Sequence, residues 1–76
     1  MKLNEMKEGT GGSISEIRGT AEFQRRVTSV GITLGNRIEM IQNDRKNPVM
    51  LYVRNTTLAL DRKDSEKIEV EEKAND

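Results

Sequence analysis

The candidate metal ligands of this 76-residue chain are carboxylates. The sequence contains no His and no Cys, so imidazole and thiolate ligands are excluded. Near the C-terminus, Glu69 and Glu71 alternate along a short segment with β-branched residues, and Glu72 follows. Carboxylates alone form a hard oxygen site that suits Mg²⁺ or Ca²⁺ better than a transition metal. Since such clusters at a chain end are more often solvated surface, we expect no tightly bound metal and no cofactor.

Catalytic chemistry also has few residues to build on. Without His and Cys, the chain cannot form a Ser-His-Asp triad, a thiolate nucleophile or a zinc finger. Tyr52, Asp61 and Asp64 are titratable, but no base or nucleophile is evidently paired with them. The glycine-rich run at residues 9–12 lacks the lysine and the spacing of a phosphate-binding P-loop. The sequence therefore predicts that the chain is not an enzyme.

Arginines and large apolar side chains give a better basis for binding a partner. Arg25 and Arg26 lie off the apolar stripe of a helical segment, where each guanidinium presents a planar fork of donors. Met50 and Tyr52 fall on the outward face of a predicted strand, where large apolar groups need an explanation. We predict that these four residues form a partner-binding surface. The alternatives are that the arginines only keep the helix soluble, and that the helix covers Met50 and Tyr52.

The formal net charge of +0 conceals two regions of opposite sign. Residues 18–63 carry nine basic and four acidic side chains, a balance of +5. Residues 64–76 carry six acidic and two basic ones, a balance of −4, and residues 1–17 add −1. This distribution predicts either salt bridges between the two regions or a basic face open to a partner or a membrane surface. The neutral total argues against bulk electrostatic binding of nucleic acid.

One helix and about five short strands must position these side chains. Residues 20–30 predict the helix, because Phe23, Val27 and Val30 form an apolar stripe and Gly31 stands where a C-terminal glycine is expected. Alternating segments bounded by Gly and Asn predict the strands, at residues 13–18, 36–42, 49–54, 57–61 and 68–70. The glycine-rich run at residues 9–12 predicts a turn, and we expect a bulge or a strand end near Glu16 and a left-handed conformation at Asn55 in a hairpin turn. These elements fit a mainly β fold, a small partly open barrel with one α-helix. We expect one domain at residues 1–70 and a frayed acidic tail at residues 71–76.

The order of these motifs resembles the FeoA family of ferrous iron transport proteins. The likeness rests on the paired arginines of the helix, the glycines that follow it, the segment 48–54 and the Leu58-Ala59-Leu60 run. It implies an SH3-like barrel in the bacterial cytoplasm. It also implies a protein that binds and modulates FeoB, the membrane GTPase that imports ferrous iron, and that reaches the membrane only through this partner. Two positions depart from the commonest family pattern, Leu34 where Pro is frequent and Asn55 where Gly is frequent.

A regulatory or nucleic-acid-binding module is the alternative function. The resemblance supports it, because a domain of this kind also forms the C-terminus of metal-dependent repressors of the diphtheria toxin repressor type. The composition speaks against it, since the chain has one Tyr and one Phe, and Phe23 is assigned to the core. We therefore expect no nucleic-acid partner. Because His and Cys are absent, we also expect that a protein of this iron-related family does not hold iron tightly by itself.

Overall fold

The computed structural model describes residues 1–72 of the chain. Their elements are a 3₁₀ turn at Leu3–Glu5, the strands β1 (Gly11–Ile17), β2 (Arg37–Gln42), β3 (Val49–Val53), β4 (Thr56–Leu60) and β5 (Ile68–Glu72), and the helices α1 (Ala21–Ser29) and α2 (Arg62–Ser65). The strands form one antiparallel sheet in the order β4-β3-β2-β1-β5. The predicted mainly β fold with five strands and one substantial helix is confirmed.

A single apolar core is formed by alternate residues of the strands together with residues of α1. On β2, Ile38 and Met40 are buried while their neighbours in the strand are exposed or half-buried, as the period of two requires. The other buried hydrophobic residues are Leu3, Met6, Ile14, Phe23, Val27, Ile32, Val49, Leu51, Val53, Ile68 and Val70. Leu58 and Leu60 of β4 are half-buried against this core.

Helix α1 has the two ends that its sequence predicts. Thr20 is the N-cap, and its Oγ1 accepts a hydrogen bond from the Phe23 N–H at 3.0 Å. Gly31 follows the helix with φ +106°, a value that L side chains rarely adopt. The Ile32 N–H then donates to the Val27 carbonyl at 3.0 Å, and this returns Ile32 to the core.

Val30 does not complete the predicted core stripe of the helix. It is the C-cap residue, with φ −101° and ψ 7°, so the chain is already leaving the helix there. Its side chain is 50% exposed. The expected three-residue stripe is wrong at this position, because spacing along a helix applies only while the helix continues.

The β3–β4 hairpin turns through Arg54 and Asn55, which have φ 52° and 63°. Positive φ at both central residues is the requirement of the type I′ turn that suits two-residue hairpins. The predicted left-handed conformation of Asn55 is confirmed, and Arg54 shares it. The Tyr52 hydroxyl donates to Asn55 Oδ1 at 3.1 Å.

Strand β1 begins earlier than its glycines suggest. The sequence predicts a turn at residues 9–12, but Gly11 and Gly12 belong to β1. A Cβ at Gly12 would lie 2.5 Å from the Glu71 carbonyl oxygen, so glycine permits the close approach of β5. The bulge expected near Glu16 is present, since the β1–β5 register shifts between Ile14 and Glu16.

Strand β5 is longer than predicted and is held by the start of the chain. It reaches Glu72 rather than Val70, and residues 73–76 of the expected tail lie outside the described residues. The Met1 ammonium donates to the Val70 carbonyl at 3.0 Å, and the Val70 N–H donates to the Met1 carbonyl at 2.8 Å. Lys2 forms an isolated bridge with Glu69. The N-terminal residues thus pair with the outer edge of β5.

Candidate partner-binding surface

The two adjacent arginines of α1 have different surroundings. Arg26 Nη2 lies 2.9 Å from Asp64 Oδ2, and its guanidinium lies over the Phe23 ring at 5.4 Å from the centroid. Lys67 Nζ lies 4.6 Å from the same centroid. Arg26 therefore helps to hold α1 against the segment that contains α2. Arg25 is exposed and has no carboxylate within ion-pair distance among residues 1–72.

Arg25 lines a shallow depression that follows the outer face of α1. The depression has a volume of about 520 Å³ and is lined by Ala21, Gln24, Arg25, Thr28 and Ser29. A second depression, of about 430 Å³, lies between the end of the helix and the β3–β4 hairpin, and it is lined by Ser29, Val30, Arg54 and Thr56. Because Ser29 lines both, the two depressions are adjacent, and we call them together the helix–hairpin groove.

Met50 and Tyr52 are not among the residues that line this groove. Both are on β3 positions that alternate with its buried residues, as predicted. Met50 is half-buried, whereas Tyr52 is 39% exposed and its hydroxyl contacts the hairpin turn. Of the four predicted partner-binding residues, Arg25 lies in the groove, Arg26 is in an ion pair, and Met50 and Tyr52 lie on the outer face of β3.

Two groove residues could not be singled out from the sequence alone. In the sequence, Arg54 looks like any other basic residue, and only the tight turn places it beside the helix. Val30 fits a core stripe by its spacing, but the helix ends before it. The signals that could have indicated them are the short interval between two strands and the glycine at position 31.

The carboxylates of β5 differ in how far they are engaged by other groups. Glu69 Oε2 lies 2.6 Å from Arg18 Nη2, and Glu69 Oε1 lies 3.5 Å from the Met1 ammonium. The hydrogen bond from Arg18 is the main cause that lowers the pKa of Glu69, with the N-terminal charge adding to it. Glu71 and Glu72 are exposed. Across residues 1–72 there is no group of three or more His, Cys, Asp or Glu side chains placed to hold a metal ion.

The polar loop between β2 and β3 is organised by one carboxylate. Asp44 Oδ1 accepts hydrogen bonds from the backbone N–H groups of Lys46 and Asn47, each at 2.9 Å, and the Asn47 amide adds further bonds. Hydrogen bonding, first from Asn47 and then from Lys46, lowers the pKa of Asp44 to about 2. Arg62 donates to the carbonyls of Asp44 and Asn47, so the loop is tied to α2.

A comparison with protein-family models matches residues 1–72 to the FeoA domain. The chain belongs to the FeoA family. This confirms the resemblance that the order of motifs indicated. FeoA proteins are accessory proteins of ferrous iron transport and are not known as enzymes. A search of curated proteins found no match.

Solved FeoA structures share the fold of this chain. An iron uptake regulatory protein (FeoA) is 22% identical, with 95% of this chain and 96% of that chain covered and a TM-score of 0.90. FeoA from Chlorobium tepidum is 23% identical, with coverages of 100% and 73% and a TM-score of 0.89. Stenotrophomonas maltophilia FeoA, complexed with zinc and described as an SH3 domain protein, is 22% identical, with coverages of 93% and 89% and a TM-score of 0.79. The SH3-like fold is therefore confirmed.

Metal-dependent repressors contain a domain of the same fold. A manganese-dependent transcriptional repressor is 19% identical to this chain, with a TM-score of 0.83. The match covers 92% of this chain and 40% of the repressor. At this level of identity the likeness concerns the fold alone. Within residues 1–72, no helix has the length and apolar character needed to cross a membrane.

Proposed function

We propose that this FeoA protein is a cytoplasmic accessory protein that binds the cytoplasmic part of a FeoB-type membrane GTPase and modulates ferrous iron transport. The observation that carries the proposal is the match of residues 1–72 to the FeoA domain. The Stenotrophomonas maltophilia relative is itself described as a candidate ferrous iron transport activating factor. The exposed Arg25, which has no ion pair with residues 1–72, offers two parallel N–H donors to a carboxylate of such a partner.

Arg25 is the best of the predicted contact residues on which to test this proposal. It is exposed and has no ion pair with residues 1–72, so a substitution there removes a potential contact without breaking an internal one. Arg26 is less informative, because its loss also breaks the ion pair with Asp64. Met50 and Tyr52 remain predicted contacts, with Tyr52 the more exposed of the two.

The direct test is a calorimetric titration of the chain into the purified cytoplasmic domain of a FeoB-type GTPase. The domain is prepared without nucleotide, with GDP and with a non-hydrolysable GTP analogue. We expect saturable binding in at least one of these states, weakened by Arg25→Glu and unaffected by the matched charge reversal Lys46→Glu on an exposed loop. Absence of saturable binding up to about 1 mM in all three states, where binding is worth only about 4 kcal/mol, would reject the proposal.

A nucleic-acid-binding role, the alternative, has weaker support. It rests on the shared fold with repressors of which this chain matches only a part. Phe23 is buried, and stacking of bases would have to rely on Tyr52, whose hydroxyl is bound to Asn55. A gel-shift assay with duplex and single-stranded DNA at low salt is the test, and we expect no shift.

A further inference from the structure

We infer that the helix–hairpin groove binds an acidic segment of the protein partner, and that this segment also carries an apolar side chain next to its carboxylates. The inference rests on the proposed function, because it specifies the chemistry of the segment that the partner presents. Of the four partner-binding residues predicted from the sequence, the groove contains Arg25, and it adds Arg54 and Val30.

Both parts of the groove carry positive charge. Arg25 lies in its helical part and Arg54 in its hairpin part, and no acidic residue lines either depression. Among the residues of the described chain, neither guanidinium has a carboxylate within 4.0 Å. Two guanidiniums without an internal counter-charge favour carboxylates, which each can bind through two parallel N–H donors.

The hairpin part of the groove exposes an apolar side chain. Val30 lines it together with Arg54 and is 50% exposed, although the other apolar residues of the α1 stripe, Phe23 and Val27, are buried. Residues 30–32 offer no free backbone donor beside it, because the N–H groups of Val30, Gly31 and Ile32 donate to the Val27 and Thr28 carbonyls. An apolar group of a partner is therefore the suitable match for this position.

Arg54 is held in place by the hairpin and by Gly31. Its φ of 52° belongs to a tight turn whose neighbouring strands are in regular register. Its aliphatic stem packs against the bare Gly31 backbone, since a Cβ there would lie 2.9 Å from Arg54 Cδ and 3.3 Å from Cγ. A side chain held in this way loses less conformational entropy on binding than a freely moving surface arginine does.

A second copy of the chain is a poor occupant of the groove. Pairing two such surfaces would place Arg25 and Arg54 of one copy near the same arginines of the other, and like charges in an interface are costly. The acidic partner segment is therefore the occupant that the charge selects.

A peptide titration tests the groove directly. The ¹⁵N-labelled chain is titrated with a synthetic peptide in which two leucines are flanked on each side by two glutamates, and with the same peptide carrying lysines instead. We expect amide shifts at residues 21–30 and 54–56 with the glutamate peptide only, reduced by added salt. We also expect their loss in a variant with Arg25→Glu and Arg54→Asn. No shifts, shifts at other residues, or the same shifts in the variant would overturn the inference.

The FeoB-type domain gives the second arm of the experiment. With that domain we expect roughly tenfold weaker binding for Arg25→Glu and about threefold for Arg54→Asn. Asn is chosen at position 54 because it tolerates positive φ, and Lys46→Glu is the control. If the wild-type chain binds and the groove variants bind equally well, the inference fails while the proposed function stands. If the wild-type chain does not bind, the proposed function fails, and the peptide titration alone decides the groove.

Discussion

The contact between Gly31 and Arg54 leads to a quantitative prediction about stability. Gly31 is buried, has φ +106°, and is covered by the stem of Arg54. We expect Gly31→Ala to be clearly more destabilising than the same change at Gly35, which has φ +86° and nothing within 4 Å of an added Cβ. Both substitutions force an L side chain into a left-handed backbone, but only the one at position 31 also displaces a neighbour.

The two costs can be estimated separately. An alanine in the left-handed region costs about 1–2 kcal/mol, and the lower entropy of its unfolded chain returns about 0.4–1 kcal/mol. We therefore expect Gly35→Ala to lower the free energy of unfolding by about 1 kcal/mol. At position 31 the Cβ would lie 2.9 Å from Arg54 Cδ, so the Arg54 side chain must change its rotamer or lose its packing. This change lowers the free energy of unfolding by roughly another 1 kcal/mol. For a chain of this size, 1 kcal/mol shifts Tm by about 4–8 °C.

Urea denaturation followed by circular dichroism measures both values, and a double-mutant cycle assigns the difference. In an Arg54→Ala background, Gly31→Ala should lose its extra destabilisation. It should then lower the free energy of unfolding by the same amount as Gly35→Ala does in the wild-type chain. Equal losses for the two single glycine variants would refute the packing argument. So would an extra cost at position 31 that persists when Arg54 is truncated.

Three further predictions concern α1 and the polar loop. Thr20→Ala removes the N-cap hydrogen bond and should cost about 1 kcal/mol in urea denaturation, with Thr20→Ser close to wild type. Arg26→Ala should cost about 0.5–1 kcal/mol at low salt through loss of the Asp64 ion pair, whereas Arg25→Ala should change stability by less than about 0.5 kcal/mol. The pKa of Asp44 is lowered from 3.8 to about 2, so its contribution to stability is complete above pH 3.8 and is lost as the pH falls through about 2. Asp44→Ala should therefore destabilise the protein at neutral pH and approach wild-type stability near pH 2; a loss independent of pH would contradict this.

Local sequence signals predict the strands and the helix well, because each follows from contacts between near neighbours. The alternation in β2 and the Thr20 cap are read directly from spacing and residue type. A glycine in the sequence has two interpretations, because it occurs both in turns and at positions where another strand packs close to the backbone. The run at residues 9–12 predicts a turn, but Gly12 lies in β1, where a Cβ would meet the Glu71 carbonyl of a strand nearly 60 residues away. No property of residues 9–12 alone distinguishes these two uses.

The candidate site is less predictable, because its members are separated in sequence. In the sequence, Arg25 and Arg26 are equivalent neighbours on a helix. Only the folded position of Asp64, 38 residues after Arg26, shows that Arg26 forms an ion pair while Arg25 does not. Arg54 reaches the groove through the hairpin turn, which brings it beside Gly31. The sequence therefore identifies the kind of side chain that binds but not which copies of it remain available.

The charge pattern connects these findings. The charge distribution predicts either salt bridges between the basic and acidic regions or an exposed basic face. The two alternatives apply to different residues. Arg18 pairs with Glu69 and Arg26 with Asp64, so part of the acidic region is engaged in holding β5 and α2 to the rest of the fold. These pairs compensate basic residues near β5 and α2 and leave Arg25 and Arg54 without such partners among residues 1–72. Arg54 lies beside the exposed Val30, and this coincidence of charge and apolar surface is why the groove, rather than the whole basic region, is the site we propose for an acidic partner.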